Sequence, residues 1–275
     1  MTVHTERRGA SGEIVVVTLD RPERRNALDH ATLDELHHIL TTTGDVRVLV
    51  LTGAHGHFCA GADLTGVEDA AFASLLQRVL DGLCGASYPT IAAIEGAALG
   101  AGTQLAVACD LRVATPDALF GIPAAKLGLM VNHWTVQRVE LLAGPGPARA
   151  MLLAAEVLSG ADAFRVGMVN RTAPASPEPT AGSDAGPDSE LAPVLVEALR
   201  WAQSIAALAP LTIAGHKLML NRLAAAPAPD PEVEAAFQRA WSSADFREGI
   251  AAFRERRPPV FRGEASPTLS PIEPE

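Results

Sequence analysis

Two short stretches built mostly of small residues are where this chain could do chemistry: FCAGADL at residues 58–64 and LGAGTQL at residues 99–105. Ala60 and Gly61 in the first allow a ligand to approach the main chain closely. In the second, Gly100 and Gly102 flank Ala101 where a helix begins, and the first N–H groups of a helix have no partner inside it. Such groups, with the helix dipole behind them, favour an anion or a strongly polarised oxygen. Taken singly, the first stretch is equally a small-residue turn and the second a place of close helix packing. A dinucleotide loop competes for Gly100-x-Gly102, but its third glycine position is Leu105 and no acid follows a strand at the required distance.

Side chains able to move protons are sparse around these stretches. Gln104 can hold a water but does not titrate near neutral pH. In LMVNHWTVQR, residues 129–138, His133 is a lone imidazole beside Trp134, a setting commoner for a packed or hydrogen-bonded histidine than for a base. Asn132 just before it has the chemistry of a helix N-cap. Asp63, next to Ala62, and Asp110 suit structural carboxylates that receive backbone N–H groups. Cys59, Cys84 and Cys109 are odd in number, widely spaced and set among apolar neighbours, so neither a disulfide framework nor a metal site is expected.

The elements that must position these residues follow an α/β pattern. Runs rich in β-branched residues, EIVVVTLD (13–20), VRVLVLTG (46–53), TIAAIEG (90–96) and DLRVAT (110–115), alternate with helical stretches. Helix starts are expected at Asp29, before HATLDELHHIL, and near Gly66, before EDAAFASLLQRVL. The order is β, α, β, α, β, α, β and then mainly helix. We place a core over residues 1–172 and a low-complexity loop, poor in apolar residues and expected to be disordered, over 173–192. A helical region of three helices follows over 193–262, the last spanning PEVEAAFQRAWSSADFREGIAAFRERR, and then a frayed tail over 263–275.

With 275 residues, 48% of them apolar, the chain can bury a large core. A net charge of −10 argues against nucleic acid or anionic lipid as partner. The first residues hold no apolar signal-like run, and the apolar stretch 90–109 contains Glu95, Gln104 and several glycines, which suits a buried strand and helix rather than a membrane span. A cytoplasmic protein is expected.

Four segments in order, LDRPERRNAL (19–28), LTGAHGHFCAGADL (51–64), AAIEGAALGAGTQLAVACDLRVA (92–114) and FREGIAAFRERRPPVF (246–261), together resemble the crotonase (enoyl-CoA hydratase/isomerase) superfamily over residues 12–262. Within that family the chain resembles actinobacterial paralogues which lack its paired glutamates. The resemblance implies a crotonase-type spiral of ββα units with a C-terminal helical trimerisation region, assembled as a trimer or a dimer of trimers. It implies a fatty acyl-CoA ligand, a place in fatty acid metabolism, and no cofactor beyond the CoA that the ligand carries. The N–H groups of Ala62 and Ala101 would form an oxyanion hole for the thioester oxygen, where preorganised dipoles stabilise developing charge. Ala60, Gly61, Asp63, Leu64 and Gly100 surround them. CoA would run past Arg25, Asn26, Ala27 and Leu28, with Arg24 nearby. Phe237 would cover the adenine and Arg256 would face the phosphates, although Arg256 equally suits a solvated helix end.

The same resemblance exposes departures. Hydration of an enoyl thioester uses two glutamates to place a water and deliver a proton; Gln104 and Ala124 stand at those positions. The glycine-rich turn usual in hydratases is replaced by LMVNHWTVQR, so Trp134 is expected to line or shorten the acyl channel. Two readings follow: an acyl-CoA binder without hydratase chemistry, or an active hydratase or isomerase using a replacement base such as His133.

Overall fold

A computed structural model describes residues 2–64, 70–175, 191–223, 238 and 241–260. Its main sheet has the order β1-β2-β3-β4-β6-β9, from β1 (Val3–Arg8), β2 (Ile14–Leu19), β3 (Val48–Gly53), β4 (Thr90–Ile94), β6 (Leu111–Ala114) and β9 (Arg171–Thr172). Only the β1–β2 pair is antiparallel; the rest run parallel. A second sheet joins β5 (Ala97–Leu99), β7 (Leu119–Gly121) and β8 (Val157–Ser159).

The apolar runs of β2, β3 and β4 are buried on both faces, as parallel strands covered on two sides must be. Val15, Val17, Leu49, Leu51, Ala92 and Ile94 face one layer, built by α1 (His30–Thr42), α2 (Ala70–Gly85) and α3 (Ala101–Ala108). Val16, Val48, Val50, Ile91 and Ala93 face the other, where α7 (Pro193–Ala206) packs Val194, Ala198, Leu199 and Ala202 at helical spacing. The remaining helices are α4 (His133–Ala143), α5 (Pro145–Leu153), α6 (Gly160–Arg165), α8 (Pro210–Leu223) and α9 (Ala244–Glu255).

The four expected strands are present, and α1 begins at Asp29, whose Oδ1 accepts the Thr32 N–H at 2.8 Å. β1 has no counterpart among the expectations because only Val3 of its six residues is buried, so it carries no apolar alternation. The last expected helix is interrupted. Ser243 is extended (φ −71°, ψ 158°) and its Oγ accepts the Phe246 N–H at 3.0 Å, so the chain restarts there as α9. A serine that caps the new helix competes with continuing the old one. The helix start near Gly66, most of the low-complexity loop and the tail lie outside the described residues. Among those described, no single helix is long and apolar enough to cross a membrane.

The short helix α3, buried along its whole length, is held at its C-terminal end by Arg112. That guanidinium, 1% exposed, donates to the carbonyls of Ala106 (3.1 Å), Cys109 (2.7 Å), Asp110 (3.1 Å) and Met168 (2.6 Å). Burial pulls its pKa down to about 10, yet it stays charged at neutral pH and complements the helix dipole. The Asp110 carboxylate instead accepts from the Thr90 N–H and pairs with Lys217 Nζ at 2.7 Å, tying α8 to the core. Replacing Arg112 with Leu leaves its carbonyl partners without a donor, and each such loss costs about 1–3 kcal/mol. We expect urea unfolding of Arg112→Leu to show a stability loss of about 3 kcal/mol or more. A loss too small to resolve would mean that the carbonyls find other donors.

Candidate functional site

Residues 59–62 are clamped from two sides. Leu28 N–H donates to Gly61 O (2.8 Å), Asp63 N–H to Leu28 O (2.7 Å) and Ala60 N–H to Arg25 O (3.0 Å). On the other side Cys59 N–H donates to Ala97 O (2.7 Å) and Leu99 N–H to Cys59 O (3.0 Å). The first turn of α3 presses against this segment so closely that a β-carbon on Gly102 would stand 2.1 Å from Cys59 O. A β-carbon on Gly61, whose φ is +110°, would stand 2.9 Å from Leu99 O and 3.8 Å from Ala101 N. The turn that leads into Ala62 thereby lies against Ala101. Among the described residues neither N–H reaches a backbone acceptor.

Beside Ala101 opens a cavity of about 150 Å³. Gly100, Ala101 and Gln104 form one wall, Phe72, Leu76 and Gln77 of α2 another, and Ile122, Pro123, Ala124 and Leu127 a third. Trp241 lies over it, donating Nε1–H to Met130 O at 2.9 Å and tilting against Phe246. Among the described residues its polar side chains are Gln77, Gln104, Asn132 and Trp241, and none that lines it is Asp, Glu, His, Lys, Arg or Cys. Three of them join one hydrogen-bonded chain. Gln104 Nε2 donates to Thr135 Oγ1 (3.0 Å), Thr135 to Asn132 Oδ1 (2.7 Å), Asn132 Nδ2 to Gln77 Oε1 (2.5 Å) and Gln77 Nε2 to Asp81 Oδ1 (2.7 Å). The nearest charge on that path is Asp81, at its far end.

The chain and its fold have known relatives. Residues 9–179 match the enoyl-CoA hydratase/isomerase family. A Mycobacterium tuberculosis protein named probable enoyl-CoA hydratase is 40% identical over 255 residues, covering 91% of this chain and 96% of that protein. The chain belongs to the enoyl-CoA hydratase/isomerase family. The Bacillus subtilis enoyl-CoA hydratase/isomerase family protein YngF is 32% identical over 265 residues, 91% of this chain and 95% of its own length. Among solved structures, methylmalonyl-CoA decarboxylase superposes with a TM-score of 0.83 at 21% identity, covering 96% of this chain and 99% of that one. An enoyl-CoA hydratase from Mycobacterium avium subsp. paratuberculosis gives 0.75 at 24% identity, covering 95% and 99%. The fold is therefore the crotonase fold.

Within this family member, Gln104 and Ala124 both face the one cavity, with Gly100 and Ala101 beside them. Trp134 does not line it. Asn132 caps α4 and turns Thr135 towards Gln104, which leaves Trp134, Gln137, Arg138 and Leu141 on another face of the helix, around a separate hollow with Asp81 and Asn221. His133, at the first position of α4, is exposed and also off the cavity wall. Asn26 is buried with its side chain fully occupied: Oδ1 accepts from Arg21 N–H, and Nδ2 donates to Ala54 O and His57 O. Ala27 and Leu28 are buried beneath it, while Arg24 and Arg25 are exposed. Asp63 meets Arg21 at 3.2 Å, and Arg21 also meets Asp29 at 3.1 Å, so this carboxylate braces the RPERRNAL turn against residues 59–63. Leu64 O accepts from Arg254 of α9 at 3.0 Å. Arg256 is exposed at the end of α9, and Phe237 lies outside the described residues.

Sequence reasoning overlooked Trp241, Gln77 and Thr135. Their signal was faint: Trp241 sat in what read as one long amphipathic helix, and Gln77 and Thr135 gain meaning only as links between α2, α3 and α4. The buried thiols are inert, with Cys59 and Cys109 pushed up to about 12 by desolvation. His57 accepts the Ala97 N–H at Nδ1 (3.3 Å), and burial, then nearby Arg25, holds its pKa below the usual histidine value. The close approach of Gly102 predicts that Gly102→Ala forces the helix off the strand and lowers stability by about 1–3 kcal/mol. Gly146→Ala, helical with open space around it, should be neutral or stabilise by up to about 1 kcal/mol. Equal chemical-denaturation midpoints for the two variants would contradict this picture.

Proposed function

We propose that this family member binds fatty acyl-CoA thioesters through the Ala62 and Ala101 N–H groups and does not hydrate enoyl-CoA. The observation that carries the reading is the cavity wall: Ala101, whose N–H reaches no backbone acceptor among the described residues, lines it, and no described side chain that lines it is an acid or a base. Two N–H donors can polarise a thioester oxygen. Adding water across a double bond also needs a base and an acid of suitable pKa within reach. Gln104 and Ala124 supply neither, and His133 points elsewhere. CoA itself would follow the exposed Arg24 and Arg25 and, at the far end, Arg256.

Titration calorimetry with saturated acyl-CoAs of increasing length should show binding that tightens about fourfold per added methylene until the cavity is full, the equivalent of about 0.8 kcal/mol each. Crotonyl-CoA should show no measurable hydration. Turnover at an ordinary enzymatic rate, above about 1 per second, would overturn the proposal.

The reading extends to a cytoplasmic role in fatty acid metabolism and to a trimer-based assembly through the C-terminal helices. Supporting the assembly, α8 exposes Leu211 (87%), Leu220, Met219 and Leu218 to solvent, more apolar surface than a single helix of a monomer ordinarily leaves uncovered. Light scattering is expected to give three or six times the mass of one chain, and a stable monomer at micromolar concentration would rule the assembly out.

A further inference from the structure

Of the 22 Lys and Arg side chains in this chain only two, Lys126 and Lys217, are lysine. The distinction is chemical, because a guanidinium stays protonated whereas a lysine amine can be acylated by a thioester. Lys217 is 7% exposed and fully engaged, with Nζ 2.7 Å from the Asp110 carboxylate and donating to Leu83 O (3.1 Å) and Tyr88 O (2.9 Å). Lys126 is exposed, and among the described residues its Nζ has neither a hydrogen-bond acceptor nor an ion-pair partner. The thiols are poor competitors for an acyl group. Cys59 and Cys109 are buried, and Cys84 lies at the separate hollow beside Trp134.

Lys126 belongs to the 3-10 turn Pro123–Leu127, of which Pro123, Ala124 and Leu127 line the cavity. Ile122 ahead of the turn is buried, whereas those three residues are partly exposed, so the turn runs from the depth of the cavity to its rim. Side chains three apart in a 3-10 turn eclipse one another, which sets the Lys126 stem over Pro123. The turn itself is fixed. A β-carbon on Gly128 would stand 2.6 Å from Asp245 O, and one on Gly249 would stand 2.2 Å from Leu127 O, so α9 presses directly against its end.

We infer that Lys126 is an acylation site of this protein, taking the acyl group from a fatty acyl-CoA held in the cavity. The inference rests on the acyl-CoA reading above. A cavity of about 150 Å³ leaves an acyl group at Ala101 no room to stand clear of the opposite wall, and the four-carbon stem of Lys126 starts at the rim of that wall. Once its ammonium has given a proton to water, the amine attacks the thioester carbonyl carbon. A C–N bond forms, the C–S bond breaks, and the remaining proton lost by nitrogen leaves on sulfur as the CoA thiol, so no oxidant or further reactant enters. A backbone N–H on the thioester oxygen stabilises the charge that develops there. The product is an uncharged amide carrying the acyl chain at the rim.

The test incubates the full chain with decanoyl-CoA, reads the product by intact mass and peptide mapping, and measures binding by calorimetry. A single decanoyl group is expected, on Lys126, with an equal amount of CoA thiol released. Lys126 should react at least about tenfold faster than N-acetyl-lysine amide at the same concentration, because the bound thioester is held beside it. S-decyl-CoA, which has no acyl group to transfer, should suppress the reaction where calorimetry shows it bound. Lys126→Arg keeps the charge and should bind decanoyl-CoA as the wild type does, without the adduct. Binding without an adduct, an adduct on another residue, an adduct that S-decyl-CoA does not suppress, or a rate no faster than that of the free lysine derivative overturns this inference and leaves the acyl-CoA reading intact. Calorimetry that finds no decanoyl-CoA bound overturns both.

Discussion

Contact between the first turn of α3 and the Cys59 carbonyl governs the rest of the site. Gly102 has no β-carbon to hold the two apart, and Gly61 and Gly100, both at positive φ, let the chain fold back over the contact. Because the approach is this close, the turn at Gly61 lies against Ala101, and among the described residues neither the Ala62 nor the Ala101 N–H reaches a backbone acceptor. The opposite end of α3 is equally constrained, with Arg112 gripping the last carbonyls and the sheet beneath. A helix held at both ends cannot drift, so the direction of its first N–H groups is fixed by the fold.

The segments around this contact are braced by polar groups that could be mistaken for ligand-binding ones. Asn26 ties the RPERRNAL turn to the His57 loop, Arg21 ties it to Asp63 and Asp29, and Arg254 ties α9 to Leu64. Each satisfies buried or half-buried groups that would otherwise be costly. Polar residues near the site therefore shape it more than they enter it.

Inside the cavity the balance is reversed, since among the described residues its polar side chains are neutral amides and the Trp241 indole rather than acids or bases. Gln77, Asn132 and Gln104, relayed by Thr135, form a directional chain that ends on Asp81, which is not among the residues lining the cavity. Such a chain orients a partner and transmits no charge. Trp241 closes the space from the C-terminal region, so the cavity is a product of core and C-terminal helices together.

The sequence by itself determined the family, the central parallel strands and the two small-residue segments. Their signals are local: β-branched runs buried on both faces, an aspartate capping α1, and glycines where a side chain would clash. Through the family resemblance it also raised the expectation that Gln104 and Ala124 stand in place of two acids, and both residues line the cavity. What only the tertiary structure decided were the contacts whose two halves lie far apart in the chain. Trp134 and Thr135 are adjacent in sequence, yet helical rotation sends one to a separate hollow and the other to Gln104, and no pattern in the residues announces which. Trp241 and Gln77 reach the cavity only because the segment ahead of α9 and the helix α2 converge on it. The direction of the Gln104 amide, likewise, is set by a cap on another helix, since a carboxamide takes its orientation from its partners rather than from its own place in the chain.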